Sequence, residues 1–275
     1  MKLTKSNLVK NCYQNGGCLK KVIYINQNCN NYKSVASIIQ NTNVNTLKQI
    51  KMKTFFTIAL LVVTSILTAQ NLKEKGVGDF NEVKVYDLIV VNLIKANEAK
   101  VEITGDDIEH VEVINKDGKL KIRMKFDKTF NGTNTFVSVY YTTLDIIDGN
   151  EGAYITSNEL IEQNKIELRA QEGAQLKVGL DVDQVTIKAV SGGVIETRGK
   201  AVSQNITLNT GGVYEGKSFE TQNTTVDIKA AGEAEVNASK TVDAKVTAGG
   251  DVVIYGNPEH IKEKTTFGGR IKRAN

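Results

Sequence analysis

Apolar and polar residues alternate from Gly76 to about Tyr141, in the runs Val83, Val85; Val101, Ile103; Val111, Val113; Leu120, Ile122, Met124; and Phe136, Val137, Val139. Successive side chains of an extended strand point to opposite faces, so each run predicts a strand with one wet face. Gly105-Asp106, Lys116-Asp117-Gly118 and Phe130-Asn131-Gly132 interrupt the runs as turns. Asp117-Gly118, set between Val111-Glu112-Val113-Ile114 and Leu120-Lys121-Ile122, is a strong hairpin signal. Residues 76–141 are therefore expected to form an antiparallel β region.

Beyond it, alternation gives way to repetition. An apolar-polar-apolar-polar unit recurs as Ile166-Glu167-Leu168-Arg169, Val185-Thr186-Ile187-Lys188, Ile206-Thr207-Leu208-Asn209, Val226-Asp227-Ile228-Lys229 and Ala244-Lys245-Val246-Thr247, at spacings of 19, 21, 20 and 18. Each unit is followed by a glycine (Gly173, Gly192-Gly193, Gly211-Gly212, Gly232, Gly249-Gly250), and Gly152 begins the series one period earlier. Short strands, glycine corners and a period of about 20 residues are the signature of a β-solenoid whose apolar columns stack at roughly 4.8 Å. A leucine-rich repeat shares the period but needs a Leu/Asn ladder that is absent. The chain reads as all-β: a single-stranded parallel β-helix of about 20 residues per coil over residues 142–275, five or six coils long, capped by the antiparallel region.

The first part of the chain is different. Residues 1–51 hold ten Asn, eight Lys, all three Cys and no acidic residue. Met52-Lys53-Thr54 then opens a thirteen-residue, mostly apolar run, Phe55 to Leu67, that ends in Thr68-Ala69-Gln70. A short basic start, an apolar run of this length and a small residue at the cleavage point are the parts of a secretory signal peptide, here 52–69. The run is short for a bilayer span, so no transmembrane segment is expected after cleavage. Such signals are read at the N-terminus, so Met52 is expected to be the initiator and 1–51 a disordered, non-native upstream extension. An Asn- and Lys-rich targeting extension is the other reading. No Cys follows Ala69, which excludes a lipoprotein. Export by a Sec-type signal to the periplasm, the outer surface or the medium is expected.

Charge partitions the same way. The chain carries +4 overall, but residues from Gln70 onward hold 26 basic and 31 acidic side chains. That balance gives no reason to expect nucleic-acid binding. Two His and a lack of nucleophile-elbow or phosphate-loop frames leave little for catalysis, and neither a cofactor nor a metal is expected. Asp181 and Asp183 share one face and form a candidate acid-base pair, set against a solvated corner. Asp145, Asp148 and Glu151 are either calcium ligands or a charged turn. His110 and His260 read as surface residues. More suggestive are the outward rows of the repeats: Glu167, Thr186, Thr207, Asp227, Lys245 in one, and Arg169, Lys188, Asn209, Lys229, Thr247 in the other. Arg169, Lys188, Asn209, Lys229 and Thr207 form the candidate binding face, suited to the hydroxyls or anionic groups of a polysaccharide or another cell-surface component. A plain soluble outer face is the competing reading.

The exported part resembles the family described as putative auto-transporter adhesin, head GIN domain. The resemblance rests on the signal peptide, Gly78-Asp79-Phe80-Asn81-Glu82-Val83-Lys84-Val85, Val101-Glu102-Ile103-Thr104-Gly105, Leu120-Lys121-Ile122, the glycine-marked coils and Gly268-Gly269-Arg270-Ile271-Lys272. It implies one domain over 76–272, a right-handed parallel β-helix and adhesion without catalytic residues. Nothing in the sequence looks like a translocator barrel. The expected function is an exported, non-catalytic binding or structural envelope protein, with a homo-oligomer compatible with it. A polysaccharide hydrolase or lyase on the same scaffold is the alternative.

Overall fold

The computed structural model describes residues 72–274. The signal peptide and the leading extension lie outside the described residues. Sixteen strands follow one another: β1 (Lys73–Gly76), β2 (Glu82–Val85), β3 (Val90–Lys95), β4 (Lys100–Gly105), β5 (Val111–Lys116), β6 (Lys119–Met124), β7 (Thr135–Tyr141), β8 (Ile146–Gly149), β9 (Tyr154–Ala170), β10 (Gln175–Val190), β11 (Val194–Asn209), β12 (Val213–Ile228), β13 (Gly232–Val246), β14 (Gly250–Tyr255), β15 (His260–Thr265) and β16 (Arg270–Arg273). They wind a parallel β-solenoid of about 7 turns, roughly 19 residues per turn, with antiparallel strands at its N-terminal end.

The extra turns come from the N-terminal region, which is not purely antiparallel. β1/β4, β4/β7 and the β5/β6 hairpin are antiparallel as the alternation predicts. The hairpin turns at Asp117 (φ 54°) and Gly118 (φ 78°). β2, however, lies parallel between β6 and β8, and β3 parallel between β7 and β9. These strands extend both walls of the solenoid by further rungs, so the walls end in β1 and β5.

Each long strand bends to serve both walls, and four consecutive coils turn at one corner in the same way. The central pairs Glu151-Gly152, Glu172-Gly173, Ser191-Gly192 and Thr210-Gly211 all have positive φ, 50–53° followed by 71–76°. The bonds Ala153 N–H to Asn150 O, Ala174 to Gln171, Gly193 to Val190 and Gly212 to Asn209 close them as type I′ turns. The turns are themselves bonded to one another, Gly152 N–H to Glu172 O, Gly173 to Ser191 O and Gly192 to Thr210 O, so the corner is a continuous ladder. Glycine at 212 has a second cause: a Cβ there would come within 2.0 Å of the Ala189 carbonyl oxygen.

The inner columns are dry and stacked. Leu168, Ile187, Ile206, Val226 and Ala244 form one, and Ala170, Ala189, Leu208, Ile228 and Val246 the next; all are at most 1% exposed. This corrects the alignment read from the sequence, which set Val185 opposite Ile206. In the fold Val185 pairs with Gln204 and Ile187 with Ile206. The physical reason is a polar patch inside the solenoid. Gln204 and Thr224 continue the Val185 column inward, both 2% exposed. The fully buried Tyr214 hydroxyl lies 3.2 Å from Gln204 Oε1 and 2.6 Å from Thr197 Oγ1, while Thr224 Oγ1 lies 2.8 Å from Thr221 Oγ1. Hydrogen-bonded partners make these positions tolerable in the core, and an inward polar residue is invisible to an apolar period.

Candidate functional site

The corrected register rearranges the outward rows. One row runs in Cα register as Lys121, Lys84, Asp148, Arg169, Lys188, Thr207, Asp227, Lys245 and Lys264. Of the residues singled out from the sequence, Arg169, Lys188 and Thr207 share it. Asn209 and Lys229 stand one row nearer the glycine corner, because Val190, not Lys188, pairs with Asn209. Lys84, Lys121 and Lys264 belong to the row but were missed, since their strands are short or fall outside the repeat. Nine rungs at the strand spacing give the row a length of roughly 38 Å.

Electrostatics differ along it. Toward the N-terminal end, the buried Asp148 carboxylate takes the Lys84 ammonium at 3.0 Å, the Asn150 amide at 2.9 Å and the Gln171 amide at 3.2 Å. Partial burial opposes the charge on Lys84, yet the bond to Asp148 and its charge hold the ammonium above its ordinary pKa. In the centre, Glu167 from the adjacent row takes both Arg169 (2.8 Å) and Lys188 (2.7 Å). The two stacked cations thus share one anion, which relieves the repulsion expected of like charges on neighbouring strands. The Arg169 bond, more than that of Lys188, draws the Glu167 carboxyl below the usual carboxylate range. Lys121, Lys245 and Lys264 have no carboxylate partner among the described residues. Beside the row, Asp145, Ile146, Lys165, Glu167, Gln184 and Thr186 line an open groove of about 270 Å³.

The other sequence candidates are dispersed. Asp181 lies in register between Glu162 and Lys200, its Oδ2 3.3 Å from the Lys200 ammonium, and Asp183 is exposed. Glu162 is a neighbouring carboxylate that the sequence reading missed, because β9 carries an irregular register before it. Asp148 is buried and paired as above, Asp145 is exposed and accepts the Asn81 amide, and Glu151 lies at the corner; no group of three or more metal-ligating side chains occurs among the described residues. His110 stands 3.4 Å from Asp107, and His260 is exposed at the start of β15. No helix among the described residues is long and apolar enough to cross a membrane.

Solved structures with this architecture include one from Bacteroides fragilis described as a "putative adhesin", at a TM-score of 0.69 and 16% identity over 75% of this chain and 98% of that one. A "putative adhesin" from Parabacteroides distasonis aligns at 0.62 and 20% identity, over 74% and 96%. A "putative lipid binding protein" from the same species aligns at 0.59 and 17%, over 76% and 98%. At these identities the likeness is one of fold. No curated protein sequence matches the chain. Residues 79–258 match the family described as "Putative auto-transporter adhesin, head GIN domain", and the chain belongs to that family.

Proposed function

We propose that this chain is an exported, non-catalytic adhesin-like protein, placed in the periplasm, at the outer surface or in the medium, whose cation row holds an extended acidic polysaccharide of a cell surface. The observation that carries the reading is a row on one wall in which cations stand as three adjacent pairs, Lys121-Lys84, Arg169-Lys188 and Lys245-Lys264, each pair one strand spacing apart and separated from the next by Asp148 or by Thr207 and Asp227. Within each pair that spacing is close to the advance per sugar of an extended glycan, so two neighbouring carboxylates of the polymer meet one pair of cations. Thr207 and the neighbouring Asn209 and Lys229 offer hydroxyl, amide and ammonium groups to the sugar ring. The family description supports adhesion as the broad role, and the polysaccharide is our own extension of it.

The test is retention of the protein on immobilised polygalacturonate. Neutralising Lys188, Lys245 and Lys264 together as Gln is expected to weaken retention about tenfold, three exposed contacts at roughly 0.5 kcal/mol each. The thermal midpoint should stay nearly constant, and added salt should weaken the wild type in the same direction. Equal retention of the triple variant removes the row as the binding face. Release of oligosaccharides by the wild type, abolished by Asp181→Asn, would establish the hydrolase or lyase reading instead.

A further inference from the structure

The glycine corner carries a second surface, independent of the cation row. Its left-handed positions are filled in the middle coils by Glu172, Ser191, Thr210 and Ala231 (φ 49–53°). Near its two ends the left-handed residues are phenylalanines, Phe130 (φ 63°) and Phe267 (φ 55°). A bulky aromatic side chain with positive φ is a backbone outlier, and such strain persists where the surrounding structure enforces it. Folding gains little in return, because Phe130 is 56% and Phe267 88% exposed, with Phe126, in the same loop as Phe130, at 99%.

The first pair of rings is held outward by a built loop. The buried Asp87 carboxylate accepts the Met124 and Phe130 N–H groups at 2.9 and 3.0 Å, and the Asp87 carbonyl accepts Gly132 N–H at 3.0 Å. Thr129 Oγ1 donates to the Phe126 carbonyl at 3.0 Å. Cations flank the rings in sequence at both ends: Lys125 and Lys128 bracket Phe126, and Lys272 follows Phe267, while the Arg270 guanidinium is held by Asp251 at 2.6 and 2.7 Å. Both ends lie on one edge. The corner bonds run from Gly132 to Asp87, Leu88 to Glu151, Gly152 to Glu172, and on to Ala231 and Ala248. Between the phenylalanines the corner runs through the buried Asp87 and its neighbour Leu88, then Glu151 and Glu172, and diminishes to Ser191, Thr210, Ala231 and Gly249.

We propose that this corner edge rests on an anionic phospholipid bilayer, with Phe126 and Phe130 at one end and Phe267 at the other entering the interface. Rings separated by roughly eight rungs, with small tips on the four coils next to Phe267, fit a continuous flat partner. Flanking ammonium groups suit its phosphate plane.

The chain contains no Trp, so Phe126→Trp and Phe267→Trp are each unique reporters in the full-length protein. With vesicles of phosphatidylglycerol and phosphatidylethanolamine, emission from both is expected to shift to the blue and to be quenched by lipids brominated near the glycerol end of the chain. Salt should reduce both effects. Phosphatidylcholine vesicles should give less. The variant Phe126→Ser, Phe130→Asn, Phe267→Asn should lose at least about tenfold in vesicle affinity, as burial of even part of three rings implies, while its thermal midpoint holds or rises. Water-like emission from either reporter, or unchanged affinity of the triple variant, overturns the proposal. So does a blue shift that needs only higher protein concentration, which would assign the rings to a second copy of the chain.

Discussion

Single residues in this solenoid are decided by what stacks above and below them. Glu151 shows the cost of a poor position. It sits at the corner, where burial first, and the neighbouring Asp87 carboxylate second, push its pKa above the ordinary carboxylate value. A raised acid pKa means that the folded state prefers the protonated form. The associated stability is present below the unfolded value of about 4.3 and is lost as pH rises through the raised one. Ionised Glu151 therefore opposes folding at neutral pH. Glu151→Gln is expected to raise the thermal midpoint at pH 7, with the advantage shrinking toward zero by about pH 4; a melting series across that range checks it. Tyr214 is the opposite case, a buried hydroxyl whose pKa burial drives upward, so it stays a neutral hydrogen-bonding partner of Thr197 and Gln204.

At the scale of the strand, most elements were legible from period two, though β1, β3, β8 and β15 were not, and their partners only in part. The runs at Val83, Val101, Val111, Leu120 and Val137 all became strands, and the Asp117-Gly118 hairpin formed as its turn residues dictate. Parallel pairing of β2 and β3 was not legible, because a short alternating strand reads the same whichever way its neighbour runs. The two-residue slip between Val185 and Ile206 has a sharper cause: Gln204 faces inward, its Oε1 accepting from the hydroxyl of Tyr214, a residue on the opposite wall that no local pattern can connect to it, while its Nε2 is buried without a partner. Of the candidate face, Arg169 and Lys188 were correctly placed as stacked neighbours, while the same slip put Thr207 one row too far from them. Inside and outside were nevertheless assigned correctly, which gives a direct test. Leu208→Asp would leave a charge between Ala189 and Ile228 and is expected to cost on the order of 4 kcal/mol. Asn209→Asp should cost less than about 0.5 kcal/mol. Denaturant unfolding of the two variants separates them.

At the scale of the molecule, a stack of coils must end somewhere, and the last coil is built differently from the rest. The inward columns Leu168 to Ala244 and Val236 to Ile254 terminate in Glu263 and Arg273, whose side chains approach to 3.8 Å across the mouth of the solenoid. Val246 is likewise followed by Thr265. Charges at core positions of a terminal coil leave the exposed end unsuited to stacking on a second copy. Glu263→Ile combined with Arg273→Ile is expected to produce concentration-dependent association visible in sedimentation velocity, with the wild type unchanged under the same conditions. Identical sedimentation of the two would show that the ion pair does not guard this end.

The ladder of type I′ turns has a consequence for how the molecule can change in size. Each coil meets its neighbours through the same corner and nearly the same residue count; Ser191 to Asn209, for instance, is one complete circuit of 19 residues. A tandem copy of that segment inserts one more rung while both ends keep their neighbours. The cation row and the distance between the phenylalanine-bearing ends then lengthen together by one strand spacing, roughly 4.8 Å. Genetic duplication thereby adjusts reach in fixed increments, and a partner's dimensions can be matched by counting coils, with no redesign of either terminus.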